Sequence, residues 1–448
     1  MKELTYDTED CICALATPWA SSALAVVRLT GKGCIPAFEP FFSRAEVLSA
    51  SPGGTVHHGY VRTASGDPLD EVVVTVWKAP RSYTGQDSLE ISCHGSLAVL
   101  RRVLGELTHE AFRSAGPGEF TLRAFLNGKL DLTRAEAVQE LVSAKTDSAR
   151  SLALHRLGGS VENRVLELRR RLLDLSAVFN VQLDYAEDEV DTQEVPTGQL
   201  ESLIRDLEAL SGSYRTGRVL QEGLRVVLAG RTNAGKSSLF NLFLKEDRSI
   251  VSEEHGTTRD FIEAWVSLGE IPARLYDTAG LREADGLVEQ EGIRRSRELL
   301  AGADLVFYLV DATDPVFEDL SVEESKLLRL WTKIDSLSAQ PVPQGWIGVS
   351  SFTGSGLETI LQQVKEKTLG LEVPAPGAPV IDSLRQKNLL DRAVAALGEV
   401  QRGMELGVPI DMAALDVHEA LTALGEIVGE VTSADILNHM FGNFCVGK

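Results

Sequence analysis

The apolar positions of this chain change their period several times. Residues 23–29 form a short apolar run closed by Gly31, and residues 72–77 are β-branched, so both stretches predict strands. Residues 80–85 carry turn-forming types, and 97–107 return apolar residues at helical spacing. The opening part therefore reads as a small α/β domain. From about Thr133 the pattern becomes helical. Val161, Val165, Leu168, Leu172, Leu175 and Phe179 recur at alternating intervals of four and three, which places them on one face of a long helix. An acidic stretch at 184–194 interrupts this pattern, and 200–214 resumes it. Between 224 and 369 strands alternate with helices, as in a doubly wound domain. Pro374-Ala375-Pro376-Gly377 is a linker, followed by helical patterns over 381–405, 412–428 and 433–441. Helices on both sides of an α/β block predict an insertion into one discontinuous helical domain. The expected boundaries are 1–120 for the first α/β domain, 121–220 and 376–448 for the two helical parts, and 221–375 for the inserted domain.

Composition narrows the class. A chain of 448 residues is too long for a single core. Its apolar fraction of 44% and charged fraction of 24% are those of a soluble protein. No apolar run approaches the roughly 20 residues that span a bilayer. The acidic start, residues 1–10, leads into no secretory signal pattern. Cys11, Cys13, Cys34, Cys93 and Cys445 form no CxxC pair, which argues against a disulfide framework or zinc ribbon and for a reducing cytoplasm. The period-2 spacing of Cys11 and Cys13 assigns both to one strand face and to packing. A net charge of -21 argues against a long basic face clamped on nucleic acid, but not against a local patch or a basic partner. The Arg169-Arg170-Arg171 run reads either as a solvated helix face or as a phosphate contact.

The strongest motif lies at the start of the inserted domain. An apolar strand, 224–229, runs into Gly230-Arg231-Thr232-Asn233-Ala234-Gly235-Lys236-Ser237, which fits GxxxxGK[ST] with a strand before and a helix after. In such a P-loop, backbone N–H groups from Asn233 to Ser238 and the positive helix end receive phosphates, Lys236 reaches the β and γ oxygens, and the Ser237 hydroxyl ligates Mg²⁺. Later segments follow in the order a GTPase requires. Gly256-Thr257-Thr258-Arg259-Asp260 offers Thr258 to Mg²⁺ and the γ-phosphate. Arg274-Leu275-Tyr276 is a strand leading to Asp277-Thr278-Ala279-Gly280, where Asp277 holds Mg²⁺ through water and the Gly280 N–H senses the γ-phosphate. Thr332-Lys333-Ile334-Asp335 occupies the base-reading position. The Asp335 carboxylate accepts from N1–H and the 2-amino group of guanine, a pairing adenine lacks. Ser350 and Ser351 are placed for the guanine carbonyl. The base-reading motif ordinarily opens with Asn. Thr332 lacks the two-sided amide, which puts about 1 kcal/mol of base affinity at stake.

Where many GTPases hold a water-orienting Gln after the DxxG glycine, this chain has Leu281, so hydrolysis needs other help. Asn233 can offer its side-chain oxygen to a monovalent cation beside the phosphates, or it can stiffen the loop with a hydrogen bond. Glu289, nine residues past Gly280, can orient water, or it is a surface charge.

These segments resemble the MnmE (TrmE) family of tRNA-modification GTPases along nearly the whole chain. The resemblance rests on GRTNAGKSS at 230–238, GTTRD at 256–260, DTAGLRE at 277–283, YTGQDSLE at 83–90, PGEF at 117–120, RAFLNGKL at 123–130 and the terminal FCVGK at 444–448. The GTPase motifs are widely shared, whereas RAFLNGKL and FCVGK are much more specific. The resemblance implies a folate-binding, dimer-forming N-terminal domain and a helical domain carrying an inserted Ras-like GTPase domain. It implies a K⁺ site of Asn233, Ser252, Glu254 and Thr257, Mg²⁺ at Ser237 and Thr258, and Glu289 orienting water. Ser252, Thr257, Thr278 and Ala279 would also line the GTP. Folate would be held by Arg28, Glu90, Lys129 and Lys448: Glu90 takes the paired N–H donors of a pterin edge, and Arg28 and Lys129 take anionic parts. The segment Ser92-Cys93-His94-Gly95 departs from the family run. The implied reaction adds a carboxymethylaminomethyl or aminomethyl group to C5 of a tRNA wobble uridine, with a 5-formyl- or 5,10-methylene-tetrahydrofolate as one-carbon source and the flavin-dependent MnmG (GidA) as partner. Cys445 sits in a poor prenylation box and serves either as a thiolate near folate or in packing. A GTPase switch in ribosome assembly is the competing reading. It lacks the basic RNA-binding module such proteins append. A stand-alone folate enzyme leaves the GTPase site unexplained.

Overall fold

The computed structural model describes residues 7–184, 197–246, 262–269, 271–277, 294, 297–336, 338–368, 375 and 377–447. The chain divides into two compact units, one formed by 1–139, 165–191 and 409–448, the other by 140–164 and 192–408.

The first unit is built on a six-stranded sheet of β1 (Ile12–Leu15), β2 (Leu24–Thr30), β3 (Thr55–Arg62), β4 (Pro68–Trp77), β5 (Ser88–His94) and β6 (Arg113–Ser114). The order is β3-β4-β5-β2-β1-β6, antiparallel except where β1 meets β6. The two predicted strands appear as β2 and the longer β4. The helix predicted over 97–107 runs Leu97–Glu110. Val27, Leu29, Val74, Val76, Leu89 and Ile91 alternate inward along three strands and meet Phe38, Phe42 and Val103 in one core. Cys13 lies in that core and Cys11 packs against it, as the spacing predicts. Burial pushes the Cys13 thiol up to about 12 and the Cys93 thiol up to about 11, so both stay protonated and inert at neutral pH.

A buried charge cluster holds the start of this unit. Arg123 and Glu119, both fully buried on the helix Glu119–Leu126, pair at 2.8 Å; Arg123 also reaches Asp10, and Arg113 bonds Asp10 at 2.7 Å and Glu119 at 2.6 Å. Two quoted motif residues, Glu119 of PGEF and Arg123 of RAFLNGKL, thus serve the fold.

The second unit carries β7 (Leu224–Ala229), β8 (Ile262–Leu268), β9 (Ile271–Asp277), β10 (Leu305–Asp311), β11 (Leu327–Thr332) and β12 (Ile347–Val349) in the order β12-β11-β10-β7-β9-β8. All neighbours are parallel except β8 and β9. Both faces are covered, so β10 reads as a nearly continuous apolar run. The helices Thr197–Gly212 and Leu384–Leu406, from either side of this sheet in sequence, pack on each other, and Ser211 Oγ donates to Asp391.

The long helix spans Ser160–Asp184, and all six residues of its predicted apolar face are buried. Its arginines are ion-paired: Arg169 with Glu430 at 2.7 Å, Arg170 with Asp174 at 3.8 Å and Arg171 with Glu167 at 4.0 Å. Only Arg170 is exposed, so the solvated-face reading holds for it, while Arg169 and Arg171 are half-buried in their ion pairs. No helix among the described residues is long and apolar enough to cross a membrane.

Candidate functional site

β7 lies between β10 and β9, so the strand order reverses around it, and the crevice beyond its C-terminal end is where an open α/β sheet binds ligands. The loop 230–235 occupies that position, followed by the helix Lys236–Glu246. Gly230 is required there: its φ is +137°, and a Cβ would stand 2.3 Å from the Leu309 carbonyl oxygen. Asn233 adopts a left-handed φ of 65°, a conformation Asn accepts more readily than most residues. Its side chain is exposed and makes no hydrogen bond with the described residues, so the loop-stiffening role finds no partner there.

Lys236 is buried, and its ammonium bridges the carbonyls of Gly230 at 2.7 Å and Arg231 at 2.8 Å. The Ser237 hydroxyl donates to Asp277 Oδ2 at 2.9 Å, and Asp277 is buried at the end of β9. A hydroxyl and a carboxylate side by side are the hard oxygen donors that Mg²⁺ takes. Ser238 is exposed on the first turn of the helix, and Ala234 and Gly235 complete the loop.

The base-reading loop leaves β11 next to this site. Thr332 is buried, and its hydroxyl reaches the carbonyl oxygens of Ala234 at 2.8 Å and Val310 at 3.1 Å. Thr332 therefore ties β11 to the P-loop through a contact that the sequence pattern alone did not reveal. Lys333 holds a left-handed φ of 60° and pairs with Asp311 at 2.6 Å. Burial pushes the Asp311 carboxyl up, but bonds from Lys333 and Thr313 outweigh it and hold the group below the usual carboxylate range. Asp335 is exposed beyond them. A cavity of about 580 Å³ opens among Asn233, Ala234, Asp311, Asp314 and Lys333. Ser350 does not reach outward. It is fully buried, and its hydroxyl accepts from the Thr353 N–H at 3.1 Å, whereas the neighbouring Ser351 is half-buried. Ser252, Glu254, Thr257, Thr258, Thr278, Ala279, Gly280, Leu281 and Glu289 lie outside the described residues, as does Lys448.

The first unit holds a second constellation. The β2–β5 register sets Arg28 directly opposite Glu90, and the guanidinium donates twice to Glu90 Oε1, at 2.8 and 3.0 Å. Arg28 also donates to the Gly447 carbonyl at 3.2 Å and lies over the Tyr83 and Phe120 rings. Three of its five N–H groups are thus taken by Glu90 and Gly447. A cavity of about 240 Å³ is lined by Arg28, Glu90, Trp77, Arg81, Tyr83 and Thr84. Lys129 reaches the loop beside it, donating to the Pro80 carbonyl at 2.9 Å, and Asn127 donates to Thr84 O at 2.8 Å. The terminal segment is fastened here as well. Val446 bridges Pro117, and Gly118, at φ +63°, packs so closely that a Cβ would stand 2.6 Å from Phe441 O. YTGQDSLE thus supplies Tyr83, Thr84, Ser88 and Glu90 to the cavity lining, while Lys129 of RAFLNGKL bonds to Pro80 beside it and Gly447 of FCVGK to Arg28 in its wall. Cys445 is exposed. Tyr83 and Thr84 belong to a quoted motif, yet of that run the sequence reading singled out Glu90 alone. Trp77 and Arg81 carried no signal beyond their nearness to it.

A mostly parallel sheet of this order, with an antiparallel edge strand, a P-loop at its switch point and a carboxylate beyond the neighbouring strand define a P-loop GTPase of the Ras-like class. Comparison with known proteins supplies the family. A model of the MnmE helical domain matches residues 132–445, and one of the N-terminus of the GTP-binding protein TrmE matches 11–129. The tRNA modification GTPase MnmE of Borrelia recurrentis is 42% identical, with 99% of each chain covered. That of Carboxydothermus hydrogenoformans is 38% identical, over 98% of this chain and all of the other. A crystal structure of the G domain of the T. maritima FeoB iron transporter matches at 25% identity, covering 32% of this chain and 98% of that one, with a TM-score of 0.26, too low to bear on the fold. The chain belongs to the MnmE family of tRNA modification GTPases.

Proposed function

We propose that this GTPase drives the addition of a carboxymethylaminomethyl or aminomethyl group to C5 of the wobble uridine in tRNA, in the cytoplasm, as a homodimer working with the flavin-dependent MnmG (GidA) and a tetrahydrofolate one-carbon donor, 5-formyl or 5,10-methylene. The observation that carries this reading is a cavity walled by the paired Arg28 and Glu90, with the Gly447 carbonyl bonded to that same Arg28. A GTPase that only switched would have no use for such a second site.

In this reading Glu90 accepts from the pterin edge and Arg28 positions it, while Lys129 and Lys448 attract the anionic end of the folate. In the other unit the N–H groups of 233–238 and Lys236 hold the GTP phosphates, and Asp335 with Lys333 and Ser351 selects guanine. Ser237 and Thr258 would hold Mg²⁺, with Asp277 behind them; when bound, that ion offsets charge on the β and γ oxygens. Asn233, Ser252, Glu254 and Thr257 would hold K⁺, which supplies positive charge beside the phosphates. Glu289 orients the attacking water in place of the glutamine that Leu281 replaces. Nucleotide turnover then changes how the GTPase domains of the dimer meet, and that motion is used for the modification.

Nucleoside analysis of tRNA from cells lacking this protein tests the proposal. Wobble uridines without the C5 substituent are expected; an unchanged modification profile would sink it. Saturable binding of 5-formyltetrahydrofolate to the purified chain tests the folate role separately.

A further inference from the structure

The charges around the cavity of the first unit are unevenly matched. In its wall Arg28 pairs with Glu90 at 2.8 Å, so these two cancel. Arg81 lines the same cavity from the loop after β4. It is exposed, and its guanidinium makes no hydrogen bond or ion pair with the described residues. Its backbone N–H donates to the Lys78 carbonyl at 2.8 Å, which closes a turn over 78–81. Lys129 reaches that turn at the Pro80 carbonyl, and Lys78 donates to the Ser49 carbonyl at 2.9 Å. Both lysines therefore end on neutral oxygens, and neither has a carboxylate partner among the described residues. The carboxylate bonded to this turn is Asp87, which accepts from the Ala79 N–H at 2.9 Å. A positive rim is thus kept in a chain whose net charge is -21.

The cavity measures about 240 Å³. That is below the roughly 300–1,000 Å³ of sites that enclose a whole small molecule. It has room for the ring end of a folate and leaves the other end to cross the rim. We propose that Arg81, with Lys129 beside it, makes this a site for folates that carry a chain of γ-linked glutamates. The inference rests on the folate reading above and gives it a substrate class. Each further γ-linked glutamate adds one carboxylate to the tail. An arginine fork takes a carboxylate through two parallel N–H bonds, and Arg81, unlike Arg28, has its side-chain donors uncommitted. The contacts are exposed, so each contributes modestly and is screened by salt. Tail length therefore sets affinity by a few-fold, while Glu90 reads the ring.

Calorimetric titration of the full-length protein with 5-formyltetrahydrofolate as its monoglutamate and as its triglutamate, for wild type and R81Q, tests this. Wild type is expected to bind the triglutamate at least about three-fold more tightly. Raising KCl from about 0.1 M to about 0.5 M should shrink that preference, and Arg81→Gln should bring it below about two-fold. Because Arg81 is exposed and its side chain bonds to none of the described residues, the change does not threaten folding. Equal affinity of wild type for the two ligands, a preference indifferent to salt, or an R81Q variant that weakens both ligands alike or neither overturns the role of Arg81. A wild-type protein that binds neither ligand overturns the folate reading itself and this inference with it.

Discussion

Single residues in this protein act mainly through the groups they leave in place for their neighbours. Thr332 is the clearest case. Its hydroxyl reaches the Ala234 carbonyl, so Thr332→Val removes a buried bond and leaves that oxygen unpaired. A loss of roughly 1 kcal/mol, about five-fold in GDP affinity by titration, is expected. Asp335→Asn exchanges an acceptor for a donor. It should weaken GTP by about ten-fold or more and improve xanthosine triphosphate; wild-type GTP affinity would place the base pocket elsewhere. In the first unit Glu119→Gln deprives the buried Arg123 of a charged partner, and a destabilisation on the order of 3 kcal/mol should appear as a lower urea midpoint. Asp10 adds a pH dependence to the same cluster. Burial pushes its carboxyl up, but the bonds from Arg113 and Arg123 outweigh burial and hold it below its ordinary value. A depressed folded-state value means the contribution is present above the unfolded value of about 4 and is lost as pH falls through the lower, folded one. Acid unfolding of D10N should therefore be flatter than that of wild type below about pH 4.

At the level of elements, strand register and loop closure decide what the residues can do. Arg28 and Glu90 are 62 positions apart, yet the β2–β5 pairing sets them face to face. A one-residue slip would send one of them to the opposite face of the sheet. Glu90→Gln keeps the shape but removes the charge, and 5-formyltetrahydrofolate binding should fall by about ten-fold or more in a fluorescence titration; unchanged binding would remove Glu90 from the pterin edge. Gly230 plays the corresponding part in the other unit. Gly230→Ala drives a methyl group into the Leu309 carbonyl, so the loop must shift, and GDP binding should be lost while the unit stays folded by circular dichroism.

For the whole molecule, the exposed Asn233 side chain, which bonds to none of the described residues, and the Leu281 in place of glutamine lead to one expectation: GTP turnover is faster in K⁺ than in Na⁺ at equal ionic strength. Equal rates in the two salts would remove the monovalent cation from the account.

The nucleotide motif was legible in the sequence because a phosphate site needs a fixed short run of residues on consecutive backbone atoms, which no distant segment can replace. Helix faces and strands were legible for a similar reason, since burial of one face imposes its period on the sequence, as with Val161 to Phe179. Pairings across long loops carry no such local mark. Nothing near Arg28 announces Glu90 opposite it or Gly447 below it, Thr332 gives no sign of the Ala234 oxygen, and Ser350 looks like a base contact until its turn folds inward. Those assignments depend on register and close packing, which are properties of the folded chain and are settled only when distant segments meet.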